Sequence, residues 1–213
     1  MTIERTLSPA RSDLDAATTP PSAPATRRRP FLWHGCGLTA GAVAWAVGIV
    51  AVGLNPETPA ALAVSALSSG AFQLGLLCLL RVLWRTRAIG SGRVARTFLR
   101  IETVLVLFAI GSTTADGIGV SDLGQFGWAL LDATWPLSML GMFAIGVRIA
   151  IAGRWHGFAR FWPMVAESWA VVTIPAMAVF GPTVGTVVAA THLVVGYAVL
   201  GQLVAHRVVS AQE

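Results

Sequence analysis

Across 213 residues the chain is 55% hydrophobic and only 12% charged, with a mean hydropathy of +0.70. Soluble domains carry about 25% charged residues, so this composition excludes a soluble enzyme, a disordered chain and a disulfide scaffold. Eight of the 25 charges fall in the first 30 residues. The pI near 10.9 is no nucleic-acid signal, because the basic residues flank apolar segments one after another.

Residues 1–29 are rich in Ser, Thr, Pro and Ala and end in Arg27-Arg28-Arg29. Such a stretch buries too little apolar surface to offset its ordering entropy and reads as a disordered tail. The apolar run that follows is about twice a signal peptide's h-region and reads as a signal-anchor helix. A bilayer core needs roughly 20 apolar residues in helical form. Six segments meet that length: 31–54, 60–84, 98–118, 126–149, 161–180 and 183–205, with a short tail at 208–213. The expected fold is an all-α polytopic bundle of six transmembrane helices.

Charge sets the expected orientation. All 15 basic residues are arginine. They occupy the N-terminal tail, the link between the second and third segments, the link between the fourth and fifth, and the end of the sixth. The alternate links contain only Glu57, Asp116 and Asp122. Positive residues stay on the cytoplasmic side, so both termini are expected inside, in a multi-pass protein of the cell membrane. Cys36 and Cys78 then fall toward the cytoplasmic ends of their helices, where a structural disulfide is not expected. Gly37-x-x-x-Gly41 and Ser65-x-x-x-Ser69 place small residues where helix backbones can approach closely.

Ionisable side chains at membrane depth need a reason, since insertion scales charge each at least about 2.5 kcal/mol. Glu102, Asp132, Glu167 and His192 stand out, with His34 just inside the first helix. An internal echo joins two of them: Ala95-Arg96 precedes Glu102-Thr103, and Ala159-Arg160 precedes Glu167-Ser168. Both glutamates fall roughly 9–10 Å deeper than their arginine at 1.5 Å per residue, and His34 is expected at a similar depth. Converging faces would make a polar pocket for a proton or cation. If each acid merely accepted from an arginine such as Arg100 or Arg148, the role would be structural.

Glu102, Ala109, Thr113 and Asp116 share one side of the third helix. Pro136 lies four residues beyond Asp132 and removes the donor for its carbonyl, so a kink is expected there. An acid beside a freed carbonyl is similar to the broken-helix ion sites of transporters. His192 is expected at comparable depth and could pair with Asp132. Most tryptophans sit near segment ends, as indoles prefer the headgroup level. Trp135 and Trp169 are deeper and are candidates to line a pocket with Thr113.

Other chemistries lack their residues. A retinal-type Schiff base needs a lysine, and none is present. His192 and His206 have a spacing similar to that of cytochrome b helices, but only His34 or His156 could complete the haem pairs. Ser138 on the fourth helix and His192 on the sixth resemble rhomboid-type proteases, yet Pro136-Leu137-Ser138-Met139 lacks the glycines of that family's oxyanion site. No metal, cofactor or nucleic-acid partner is expected. The bilayer is the expected partner, with a small polar, cationic or lipid-soluble ligand and room for a homo-oligomer. The leading expectation is a small binding or transport-type protein whose acids handle protons or a cationic solute. The alternatives are a membrane enzyme using acid–base chemistry on a lipid-soluble substrate, and a helical scaffold.

Overall fold

A computed structural model of the protein describes residues 30–207. The tails expected over 1–29 and 208–213 lie outside the described residues. Those described are helical, in the order α1 (Leu32–Val52), α2 (Pro59–Thr86), α3 (Arg93–Gly117), α4 (Phe126–Asp132), α5 (Thr134–Ala152), α6 (Phe158–Glu167), α7 (Trp169–Phe180), α8 (Pro182–His192), a π-helical segment (Leu193–Ala198) and α9 (Val199–Arg207).

Local chemistry explains several of these boundaries. The Thr58 side chain accepts from the Ala61 N–H at 3.2 Å, and Pro59 takes the first helical position of α2, where a missing N–H costs nothing. Gly181, at φ +84°, ends α7, and Pro182 opens α8. A left-handed residue followed by a proline turns the chain within two positions. The third helix begins at Arg93, five residues earlier than expected, because the break ends at Gly90-Ser91-Gly92 and the run from Arg93 to Arg96 favours helix.

Three of the expected helices are irregular. The fourth runs from Phe126 to Ala152 with its regular pattern interrupted at Ala133, one residue after Asp132, where Pro136 removes a backbone donor. The fifth starts at Phe158 and is bent by 41° at Ser168. In the sixth, one stretch of six residues adopts the wider π form.

Four stretches are long and apolar enough to cross a membrane: Leu32–Val52, Pro59–Thr86, Phe126–Ala152 and Pro182–His206. The bent pair Phe158–Glu167 and Trp169–Phe180 makes a fifth if it counts as one span. The expected count of six is therefore reduced to four or five on length and composition. The helix that falls short is α3, which has the length but carries Arg93, Arg96, Arg100, Glu102 and Asp116.

The helices form a ring in chain order. α1 packs on α2, α2 on α3, α3 on α5, α5 on α6, α6 on the π segment, and α9 closes back on α1. Small residues set the closest approaches. A β-carbon on Gly41 would stand 2.5 Å from the Ala71 carbonyl oxygen, and Gly35 and Gly201 pack α1 against α9 in the same way. Without a hydrophobic drive between helices in lipid, such contacts carry much of the packing. Large apolar side chains such as Val50, Leu67, Ile151 and Val179 project outward.

The connections sort to two ends. Trp155, in the α5–α6 link, donates its Nε1–H to Thr86 at the end of α2 at 3.1 Å, and Arg148 lies beside Gly90 and Ser91. The arginine-bearing links thus meet at one end. At the other, Pro56 and Leu62 meet Asp116, Ser121 and Leu123.

Candidate functional site

The two glutamates of the repeated pattern each lie nine residues from the start of their helix, α3 for Glu102 and α6 for Glu167. Equal rise brings them to one level, about 13 Å in. Both are buried, at 1% and 4% exposure, and each is held by one hydroxyl. Ser138 Oγ donates to Glu102 Oε1 at 2.6 Å, and Tyr197 Oη donates to Glu167 Oε2 at 2.5 Å. Glu167 Oε1 is buried with no hydrogen-bond partner. Gly141 gives the Glu102 carboxylate its room, since a β-carbon there would collide with it.

Neither acid rests on an arginine. Arg100 lies over the Trp84 ring at 5.5 Å, Arg160 donates to the Ala150 carbonyl at 2.8 Å, and Arg148 is exposed. The salt-bridged arrangement that would make the acids purely structural is not formed among the described residues.

Aromatic rings fill the ring's interior beside the acids. Trp45 stacks on Phe72 at 4.9 Å and meets Trp169 at 5.1 Å and Trp135 at 5.7 Å. Phe72 presents its edge to Tyr197 at 4.7 Å. The two deep tryptophans singled out in the sequence thus belong to one cluster, with partners from α1, α2 and the π segment. Ring faces next to carboxylates are an environment in which a cation is favoured.

The irregular backbone is met by side chains. At the bend the Val165 and Ala166 carbonyls meet His192, and the first also accepts from the Ser168 N–H at 3.3 Å and Oγ at 2.8 Å. His192 Nε2 lies 2.9 Å from the first and 3.3 Å from the second, which assigns it the proton. In the π segment, Trp162 Nε1 donates to the Gly196 carbonyl at 3.0 Å, and Thr39 Oγ1 donates to that of Ala198 at 3.0 Å. Unpaired carbonyls at membrane depth are costly, so broken helices persist where such partners exist. Short π segments frequently accompany functional sites, and this one carries Tyr197.

Two expectations are corrected here. Asp132 and His192 do not pair: Asp132 accepts a long 3.5 Å contact from Ser112, while His192 braces the bend. Asp132 meets Ser112, well beyond Glu102 along α3, whereas His192 meets Val165 and Ala166 beside Glu167, so the two differ in depth as well as in neighbours. His34 also stands apart from the acids. Thr39 is level with Ala198 through its hydrogen bond, so His34, five residues nearer the helix start, lies about 7 Å from that level. It meets Phe31 edge-on at 6.0 Å, and its buried Nδ1 has no partner.

Thr113 accepts from Gln73 Nε2 at 2.8 Å and lines the groove at the arginine-free end. Tyr197, Gln73, Ser138 and Trp45 were not singled out as site candidates from the sequence. The one available signal was for Tyr197, a lone tyrosine placed mid-helix rather than at an interface. No group of three or more His, Cys, Asp or Glu suited to a metal occurs among the described residues. No protein-family model, curated protein or solved structure matches the chain.

Proposed function

We propose that the protein is a small transport-type membrane protein whose Glu102–Glu167 pair takes up and releases protons. In this reading it is a six-span bundle of the cell membrane with both termini on the cytoplasmic side. The arginine distribution supports that orientation, since the arginine-bearing links gather at one end of the ring. Counting α3 as a span follows from its place between α2 and α5.

One observation carries the proposal: two buried carboxylates of the bundle have one hydroxyl donor each and no arginine partner among the described residues. Two like charges in a medium of low dielectric constant need a compensating positive charge. A proton on each acid supplies it, and gaining or losing one changes which bonds Ser138 and Tyr197 make.

The full-length protein in liposomes loaded with a pH-sensitive dye tests this under an imposed potassium diffusion potential. Wild type is expected to acidify the lumen. Glu102→Gln and Glu167→Gln are expected to cut the rate at least about tenfold while eluting as the same monodisperse species. Equal flux in wild type and both variants, or none in wild type, overturns the reading. A changed lipid extract in expressing cells would instead favour an enzyme.

A further inference from the structure

At the arginine-free end, α2, α3 and the α3–α4 link enclose a groove of about 500 Å³, within the range of small-molecule sites. Its walls are mixed: Pro56, Leu62 and Leu123 are apolar, whereas Ser69, Thr113 and Asp116 are polar. Asp116 is half-buried, and its carboxylate takes no hydrogen bond or ion pair among the described residues. No basic residue lines the groove. Ser69 donates its hydroxyl hydrogen to the Ser65 carbonyl at 2.7 Å, so it offers the groove lone pairs only.

A second observation lies behind the wall. Gln73 is 1% exposed, and its Nε2 is tied to Thr113 of the groove at 2.8 Å. Its Oε1 is buried with no partner. Gln73 itself does not line the groove, but its bond fixes the Thr113 hydroxyl that does. The preceding residue, Phe72, belongs to the aromatic cluster that reaches Tyr197.

We infer that this groove is a binding site for a small organic ammonium ion, with Asp116 as its counter-ion and the Gln73 carboxamide behind its inner wall. A bare metal ion fits poorly, because calcium takes six to eight oxygen ligands and half of this wall is hydrocarbon. The transport reading matters only for where the cation goes afterwards. Binding is measured in detergent, without flux, so the two proposals fail separately.

The probe is benzyltrimethylammonium, titrated calorimetrically into the full-length protein in a nonionic detergent, with phenylacetate as the anionic control. Wild type is expected to bind the cation and not the anion. Asp116→Asn is expected to weaken binding about tenfold, Asp116→Glu to stay within about threefold, and Glu167→Gln to bind like wild type. Circular dichroism and elution volume confirm that each variant is folded. Equal affinity in Asp116→Asn overturns the site, as does binding of phenylacetate or no heat from wild type. Affinity lost in Glu167→Gln but kept in Asp116→Asn would seat the cation at the central acids, which overturns the outer site alone.

Discussion

The first two helices and the last two spans of the ring hold together by opposite means. α1 and α2 are regular from end to end, and their interface is made by absence of bulk: Gly41 against Ala71 and Phe72, Gly48 against Ser68, Gly75 against Leu38. At that interface Ser68 and Ser69 serve their own backbone, both donating to the Ser65 carbonyl. The α6–α9 stretch has a bend and a π segment, and its contacts are directional: His192 to Val165, Trp162 to Gly196, Trp169 to the Ala189 carbonyl, Tyr197 to Glu167. Close packing makes a stiff wall. Hydrogen bonds to a broken backbone make a wall with two ways of being satisfied, and that is where a moving part belongs.

Substitutions can break this contrast. The largest effect is expected from Gly41→Val, which drives side-chain atoms into the backbone of α2 and should destabilise by about 1–3 kcal/mol, read as a lower midpoint in detergent unfolding followed by tryptophan fluorescence. Tyr197→Phe comes next. It leaves Glu167 without its donor and should cost about 1 kcal/mol, in the range measured for hydrogen bonds between membrane helices, while also changing proton flux. Trp162→Phe loses the N–H and the five-membered part of the indole at a partly exposed position, so up to about 1 kcal/mol is expected. Ser68→Ala, which removes a bond to its own helix, should stay within about 0.5 kcal/mol. If Ser68→Ala cost more than Trp162→Phe, the division between the two walls would not hold.

Backbone breaks were legible in the sequence, and which side chains meet was not. Rise per residue is constant, so the Arg-to-Glu echo placed Glu102 and Glu167 at one level, and Pro136 marked the interruption near Asp132. Which way a side chain faces around the helix depends on packing. A helix apolar on all sides carries no stripe to mark its inner face. The Asp132–His192 pairing failed because the two stand at different levels and meet different neighbours. The π segment was equally invisible, because Leu193 to Ala198 is as apolar in that form as in a regular helix, and Tyr197 reaches Glu167 from within it. Gln73 and Ser138 became visible only once α2, α3 and α5 were side by side.

Tyrosine occurs once in this chain, and it is the residue bonded to Glu167. Ring-labelled ¹³C-tyrosine therefore places a single isotopic reporter in the protein, already at the acid pair. Its phenol carbon–oxygen stretch distinguishes a strong hydrogen bond to a carboxylate from a weak one. Infrared difference spectra across an imposed pH step can then follow the acid pair in an otherwise native membrane, with no engineered label.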